Sequence, residues 1–232
     1  MRLDRYIAAC GVCTRSEAKK LLKSGAVTVN GTVCPYADEK ITKTDKVALN
    51  GVPLIYREHL YLMLNKPAGY VSAVRDRTYP PVTDLIPPEF AHMNAYPAGR
   101  LDRATEGLLL LTNDGDFAHR LTAPNKNVYK RYFARLDAPM EEADIAAFAA
   151  GMELKDFRAK PARLEITDNP CEVYVEIAEG KFHQVRRMCA KVGKNVLYLR
   201  RVAIGALKLD ENLAVGEMRE LTEEELKKVF SE

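Results

Sequence analysis

The sequence predicts an α+β protein in two parts, a small N-terminal α/β module over residues 1–58 and a larger domain over residues 59–232 with a mainly antiparallel sheet. The chain has 232 residues, 47% of them hydrophobic and 29% charged, which is enough to bury a core. Strand-like runs follow one another with helices inserted between them, and this order favours α+β over strict alternation. Charge also separates the parts, because residues 1–60 carry a net charge of +4 and the remainder −1.

The composition excludes several classes of protein. No apolar run approaches the length of a bilayer span, and the first residues are too charged for a signal peptide. Five cysteines, an odd number, indicate reduced thiols and a cytoplasmic protein. The spacing of Cys10 and Cys13 would suit zinc, but no second pair of ligands follows and the four histidines are scattered. We therefore expect no metal site and no cofactor.

The first clear element is the segment "CTRSEAKKLLKSGAVTVNG", which predicts a capped helix followed by a hairpin. Thr14 and Glu17 have the spacing of a capping box, and Gly25 is placed to end the helix. The next residues alternate as in a strand, and Asn30-Gly31 predicts a two-residue hairpin turn.

One face of this predicted helix is cationic. Arg15, Lys19 and Lys23 recur every fourth residue and align along the helix, with Lys20 beside them and apolar residues on another side. A basic module beside a near-neutral body suits a polyanionic partner, whereas a solvated surface is the alternative that charge alone leaves open.

The first 48 residues resemble the RNA-binding domain named after ribosomal small-subunit protein four. The segment "RLDRYIAACGVCTRSEAKKLLKSGAVTVNG" carries the resemblance, which implies two short helices, a strand hairpin and a basic helix that lies on RNA. Asp4 is then expected to be exposed at the start of the first helix, where its charge suits the helix dipole. The expected RNA contacts in this module are Arg2, Arg5, Arg15, Lys19, Lys20 and Lys23.

The larger domain is predicted to consist of strands with helices between them. A strand at "LYLMLN" leads into a Lys-Pro-x-Gly turn and another extended piece, and four prolines between residues 80 and 88 indicate irregular structure. A helix over residues 140–150 is stopped by Gly151, and "TEEELKKVF" predicts a surface helix near the end. Further strands are predicted over 108–112, 129–136, 162–167, 172–178 and 195–204, and helices over "DFAHRLTAP" and 182–192.

The segment "AGRLDRATEGLLLLTNDG", residues 98–115, is the main candidate for chemistry. Its four leucines predict a strand buried on both faces. Asp102 precedes this strand by six residues, in a loop, and a carboxylate on a loop held by a rigid strand is typical of functional sites. The alternative is a structural ion pair between Asp102 and Arg100 or Arg103.

The same segment resembles the active-site signature of the pseudouridine synthases, in the branch that contains the small-subunit rRNA synthase A family. Three more segments match that family in the expected order, namely "YKRY", "EGKFHQVRRM" and "LRRVAIG". With the N-terminal module, the resemblance spans nearly the whole chain. It implies a pseudouridine synthase catalytic domain, which isomerises a uridine of RNA without a metal or redox cofactor.

The resemblance also implies roles for four residues. Asp102 would act on the ribose, either as a nucleophile or as a base. Tyr132 would stack on the uracil, and Leu199 would lie beneath it. Arg186 would pair with Asp102 in a desolvated pocket and keep the carboxylate ionised and oriented.

The predicted partner is ribosomal RNA in a pre-ribosomal particle, with Arg100 and Arg103 on the phosphates that flank the target. The Lys-x-Tyr form, "NKPAGYVSA" and the compact ending favour 16S over 23S rRNA. We expect a monomer without membrane contact. The alternatives are a 23S rRNA synthase of the same branch, a non-catalytic RNA-binding assembly factor, and a carboxylate glycosidase, which would need a second acid near Asp102.

Overall fold

A computed structural model describes residues 1–123 and 126–231. The chain forms two compact units. The first comprises Met1–Leu60 together with Pro87–Asn94, and the second comprises Tyr61–Ile86 together with the chain from Ala95 onward. The sequence did not indicate that residues 87–94, which lie within the predicted larger domain, would pack with the N-terminal unit.

The first unit is a helix pair packed on a small antiparallel sheet. Its elements are α1 (Leu3–Ala9), α2 (Arg15–Lys23), β1 (Val27–Val29), β2 (Thr32–Val33), β3 (Val47–Leu49) and β4 (Val52–Pro53). The strands pair in the order β2-β1-β3-β4. Leu3 and Ile7 of α1 meet Ala18 and Leu22 of α2 in a common core that includes Val27.

The predicted ends of α2 are confirmed. Thr14 Oγ1 accepts from the Glu17 amide at 3.3 Å, and the Glu17 carboxylate accepts from the Thr14 amide at 2.8 Å, which completes the capping box. The helix ends at Lys23, and Gly25 follows with a positive φ of 77°. The hairpin turn at Asn30-Gly31 also forms, with both residues at positive φ.

Gly11, between the two helices, shows how residues 87–94 join this unit. Its φ is 77°, a conformation that favours glycine, and a Cβ built on it would lie 2.4 Å from the ring of His92. The imidazole therefore rests directly on the glycine backbone, and a larger residue at position 11 would displace it.

The second unit is built on one large sheet with helices around it. Residues 82–85 form a short 3₁₀ helix, as do residues 88–93 of the first unit, and the extended piece predicted after the Lys-Pro-x-Gly turn is reduced to a bridge between Val71 and Pro81. Across the described residues, no helix has the length and apolar character needed to cross a membrane. The strands are β5 (Tyr61–Lys66), β6 (Tyr96–Pro97), β7 (Glu106–Thr112), β8 (Lys130–Leu136), β9 (Met152–Glu153), β10 (Arg158–Ala159), β11 (Arg163–Ile166), β12 (Glu172–Ile177), β13 (Val196–Ile204), β14 (Leu207–Lys208) and β15 (Met218–Glu220), and the helices are α3 (Gly115–Thr122), α4 (Glu142–Ala150), α5 (Gln184–Lys191) and α6 (Glu223–Lys228).

The sheet confirms the predicted α+β class and the mainly antiparallel pairing. Its order is β11-β12-β8-β13-β7-β5-β15, with β6 on β7 and β14 on β13. All neighbours are antiparallel except β13 and β7, which run parallel at the centre.

The leucines of β7 are buried on both faces, as predicted, because this strand lies in the interior of the sheet. Leu108 and Leu110 point into a core with Phe117 and Leu121 of α3. At its start, Gly107 has a φ of 98°, and a Cβ there would lie 2.2 Å from the carbonyl oxygen of Arg201. This close approach of β7 to β13 requires glycine and fixes where the preceding loop begins.

Candidate active site

The strand register brings distant residues to the start of β7. Gly107 lies opposite Arg201 of β13, and Arg201 lies opposite Tyr132 of β8. Leu199 precedes Arg201 by two residues, so its side chain points to the same face of the sheet. Since Asp102 lies in the loop just before β7, the fold places it beside Tyr132 and Leu199.

Asp102, Tyr132 and Leu199 line one cavity of about 620 Å³. Tyr132 and Leu199 are buried and form its apolar wall, whereas Asp102 reaches it from the loop. Three of the four residues expected to be catalytic thus meet. Cationic side chains also line this cavity, namely Arg100, Arg103 and Lys181, and so does the imidazole of His183.

Asp102 is more open than expected, with its side chain 32% exposed. Among the described residues the basic side chain within 4.0 Å of its carboxylate is His183, whose Nε2 lies 3.7 Å from Oδ1, and not Arg100 or Arg103. The expected pair with Arg186 is wrong, because Arg186 Nη1 donates to the carbonyl of Val196 at 2.8 Å. Arg186 therefore ties α5 to the start of β13 and does not line the cavity.

Hydrogen bonds from a neighbouring loop hold the backbone on either side of Asp102. Ser72 Oγ accepts from the Leu101 amide and donates to the Leu101 carbonyl, both at 2.9 Å. The Thr105 amide donates to the Asp102 carbonyl at 3.0 Å and closes a tight turn. The buried Thr105 hydroxyl, which lines the cavity, has no partner among the described residues. The turn is therefore fixed, and one hydroxyl is left to bond a bound molecule.

Lys66, at the end of β5, is fully buried beneath the same turn. Its Nζ donates to the carbonyls of Asp102 and Arg103 at 3.3 Å and of Thr105 at 2.9 Å. Burial lowers the pKa of Lys66 to about 8, although the negative charges of Glu106 and Asp102 act in the opposite direction. The ammonium group thus binds three carbonyls of the Asp102 loop at once, and this fixes the path of the loop.

Arg201 supports Tyr132 from the neighbouring strand. It is buried, its Nε donates to the Leu108 carbonyl at 2.7 Å, and its guanidinium carbon lies 6.0 Å from the Tyr132 ring centre. On β8, burial lowers the pKa of Lys130 to about 8, and the positive charge of Arg201 lowers it further. Arg201 and Lys130 do not line the cavity themselves, so they act on it through Tyr132 and the strands behind it.

The N-terminal module corrects the expectation for Asp4. Asp4 is fully buried, and it accepts from Arg15 Nε at 3.0 Å, from Arg2 Nε at 3.3 Å and from the Arg5 amide at 2.8 Å. Burial alone would raise the pKa of Asp4, but the hydrogen bonds from Arg15 and Arg2 outweigh it and hold the pKa below its usual value. Arg2 and Arg15 are half-exposed, so they serve first as partners of Asp4.

The other residues of this module that are expected to contact RNA are solvent-exposed cations. Arg5, Lys19, Lys20 and Lys23 are exposed, and none of them forms an ion pair within the described chain. The cationic face of α2 therefore consists of three lysines that face solvent and one arginine that is bound to Asp4.

A larger cavity, of about 870 Å³, lies on the opposite face of the sheet, because Arg131 and Tyr132 are successive residues of β8. Its carboxylate Glu176 is already engaged, since Arg131 donates to Glu176 at 2.8 Å and also to Glu165 at 2.5 Å. Within the described part of the chain, no three His, Cys, Asp or Glu side chains are arranged to hold a metal ion. The Asp102 cavity is the better candidate because its carboxylate remains accessible.

Sequence reasoning missed four residues that shape this site. Lys66 and Ser72 lie within "NKPAGYVSA", where the Lys-Pro-x-Gly pattern gave the only signal, and that signal indicated a turn. His183 and Arg201 lie within segments that had been singled out for their neighbours. Their partners are backbone carbonyls or a carboxylate far along the chain, and no local pattern records such contacts.

Comparison with known proteins agrees with this geometry. Residues 60–191 match the model of the RNA pseudouridylate synthase family, and residues 1–51 match the model of the S4 domain. A Bacillus subtilis protein described as an uncharacterized RNA pseudouridine synthase is 44% identical over 97% of both chains. The ribosomal small subunit pseudouridine synthase A of Escherichia coli is 40% identical over 99% of this chain and 100% of that protein.

A solved structure supports the same assignment. The crystal structure of a pseudouridylate synthase shares 39% identity and a TM-score of 0.70, with 99% of each chain covered. The two resemblances noted in the sequence are thus confirmed, one for each part of the chain. The chain belongs to the RNA pseudouridine synthases, a family of isomerases that act on RNA, and it carries an N-terminal S4 domain.

Proposed function

We propose that this protein converts one specific uridine of ribosomal RNA, in 16S rather than 23S rRNA, to pseudouridine, with Asp102 as the reacting carboxylate. The observation that carries the proposal is the meeting of Asp102, Tyr132 and Leu199 at one cavity. An accessible carboxylate beside a buried tyrosine and an apolar wall suits a nucleotide that has left its stack.

The chemistry requires only groups that this cavity offers. The bond between C1′ and N1 of the uridine breaks, the uracil turns, and C1′ is joined to C5. C5 loses its hydrogen and N1 gains one, so the reaction is an isomerisation without net oxidation. Asp102 assists either by adding to the ribose as a nucleophile or by removing a proton from it as a base.

The remaining residues bind and orient the nucleotide in this proposal. The ring of Tyr132 stacks on the uracil, and the side chain of Leu199 lies beneath it. Arg100 and Arg103, which line the cavity, take the flanking phosphates. The imidazole of His183 lies against Asp102 and steadies it, a role that the sequence had given to Arg186.

The choice of 16S rRNA is supported by a named relative, and the S4 domain supports RNA in general as the partner. The relative from Escherichia coli acts, by its name, on the ribosomal small subunit. The exposed lysines of α2 give the N-terminal unit a surface for RNA phosphates. In this proposal the protein works as a monomer on a pre-ribosomal particle in the cytoplasm, and five cysteines without a disulfide accord with a reducing compartment.

A glycosidase is the weaker reading of the same cavity. It would require a second, protonated acid, and the other carboxylate that lines the cavity is Asp76. The amides of Tyr79 and Thr78 donate to Asp76 and hold its pKa below the usual value, so it is poorly suited to protonate a leaving group.

The test is release of tritium from RNA labelled at C5 of uracil, because joining C1′ to C5 expels that hydrogen. We expect release from a 16S transcript and not from a 23S transcript. Release from 23S alone would keep the reaction and change the substrate. Tight binding of one transcript without release from either would favour a non-catalytic assembly factor and reject the proposal.

A further inference from the structure

An aromatic ring stands exposed at the cavity without a role in the reaction described above. Phe182 is 71% exposed and lines the same cavity as Asp102. Its ring stacks on the imidazole of His183, with 3.9 Å between ring centres and 17° between planes. A large apolar ring in water at the edge of a reaction site has an unfavourable hydration that a bound partner would relieve.

The Phe182 ring is held in place by His183 and by the turn that contains both residues. His183 has a left-handed backbone, with φ 52° and ψ 29°, which is uncommon for a residue other than glycine. The turn that contains both rings is fixed by Gln184, whose Oε1 accepts from the Lys181 amide at 3.0 Å and whose Nε2 donates to Glu179 at 2.9 Å. One face of Phe182 is thus occupied by His183, and the opposite face is presented to solvent.

The side chains around Phe182 suit a polymer with flat bases and anionic phosphates. Lys181 and Arg103 line the cavity, and the Arg103 guanidinium lies 4.2 Å above the ring of Tyr79. Aromatic faces next to cations are the combination that single-stranded nucleic acids use, with bases stacked on the rings and phosphates near the cations.

We propose that Phe182, backed by His183, is the platform on which the base next to the target uridine stacks. The inference rests on the proposed function, because it requires a uridine to leave its stack and enter the cavity. That departure leaves a neighbouring base without a stacking partner, and the solvent-facing side of Phe182 replaces the lost neighbour. The His183 imidazole then lies between this stack and Asp102.

The chain has no tryptophan, so Phe182→Trp introduces a single indole at the platform, which is excited selectively at wavelengths where the tyrosines do not absorb. We expect its emission to fall when the substrate rRNA binds, because a stacked base quenches indole. Val215→Trp is the matched control, since Val215 is 56% exposed and does not line the cavity, and its emission should change little. RNA binding itself is followed by the anisotropy of a label on the RNA. Bound RNA with no quenching at position 182 would overturn the proposal.

A second series separates stacking from packing. Single-turnover pseudouridine formation should fall about 5- to 100-fold in Phe182→Ala. It should stay near wild type in Phe182→Tyr and should remain low in Phe182→Leu. Activity in Phe182→Leu equal to that in Phe182→Tyr would overturn the platform, because any apolar side chain would then suffice. If emission is quenched but the wild type forms no pseudouridine in any transcript, the base contact stands and the proposed function fails.

Discussion

The tetrapeptide Arg-Leu-Asp-Arg occurs twice in this chain, at residues 2–5 and at residues 100–103, and the two copies are used in opposite ways. In both, the leucine is buried and anchors the segment to a core. Asp4 is fully buried and receives two arginines, including Arg2 from its own tetrapeptide. Asp102 is one-third exposed and receives neither arginine of its own copy.

The difference comes from the backbone around each aspartate. Asp4 lies in the first turn of α1, where Arg15 of α2 reaches across to it. Asp102 lies in a turn whose carbonyls are held by Lys66, so its carboxylate projects into a cavity. A carboxylate whose acceptor sites are filled by guanidinium groups stabilises a fold, whereas one whose acceptor sites stay open is available to a substrate.

The largest effect is expected from Asp102→Asn. The amide keeps the size of the side chain but serves neither as a nucleophile nor as a base, so single-turnover pseudouridine formation should fall by roughly four orders of magnitude or more. Thermal melting and RNA affinity should stay near wild type, because the carboxylate is accessible and weakly paired. The matched control is Asp116→Asn, on the exposed start of α3, which should keep full activity. Wild-type turnover in Asp102→Asn would make this copy structural as well.

A smaller loss is expected from Lys66→Met, which removes the donor beneath the Asp102 turn. Three carbonyls then lose their common partner and the turn can shift, and a misplacement of about 1 Å costs on the order of 100-fold in rate. The single-turnover rate at saturating RNA is the measurement. Lys155→Met, at an exposed lysine, should have the wild-type rate. An unchanged rate in Lys66→Met would show that Ser72 alone suffices to hold the loop.

Much of this fold was predictable because its signals are local. The capping box at Thr14, the glycine after α2 and the buried strand at Leu108 each depend on residues close in sequence. The choice of Asp102 as a candidate depends on the same kind of signal, since a polar loop before a fully apolar strand is visible in the sequence, and its role stays a prediction.

The sequence predicted an exposed Asp4 and a desolvated Asp102, whereas Asp4 is buried and Asp102 is one-third exposed. Both surroundings depend on contacts across the fold. The pairing of Asp4 with Arg15 requires α1 and α2 to be packed together, and local sequence contains only the helix start. Arg186 was expected at Asp102, but the carbonyl of Val196 at the start of β13 takes its guanidinium. Buried polar partners of this kind are set by how distant segments pack together, and no single segment of the sequence determines that packing.

The free energy of unfolding should fall more when Asp4 is substituted than when Asp102 is. Asp4→Asn leaves Arg2 and Arg15 without a counter-charge at a buried site, and we expect a loss of about 1–3 kcal/mol in the free energy of unfolding. The value stays modest because both arginines are half-exposed and water replaces part of the interaction. Urea unfolding followed by circular dichroism measures it, and Asp38→Asn, at an exposed site, is the control. Unchanged stability in Asp4→Asn would contradict a structural role for this copy, whereas its turnover should remain close to wild type.

The difference in stability between the wild type and Asp4→Asn should depend on pH. Since the pKa of Asp4 is lowered in the folded protein, its contribution is complete above the unfolded-state value of about 3.9 and is lost as the pH falls through the folded value. The stability difference between wild type and Asp4→Asn should therefore be constant from pH 7 to about 5 and shrink below about pH 4. A difference that grows on acidification would contradict the lowered pKa.

The smallest effect concerns the cations that Asp4 does not bind. Lys19 and Lys23 face solvent on α2, whereas Arg15 on the same face donates to Asp4. If the lysines contact phosphates, Lys19→Gln with Lys23→Gln should lower the slope of log affinity against log salt by roughly 0.7–0.9 per lost contact. Arg15→Gln should lower the slope less than one lysine does, because its guanidinium is already neutralised. The affinity of the substrate transcript, measured at several salt concentrations, gives each slope, and Lys40→Gln with Lys46→Gln is the control off the helix. Equal slopes in all variants would mean that this face is only solvated surface, and a larger change in Arg15→Gln would mean that RNA displaces Asp4 from its arginine.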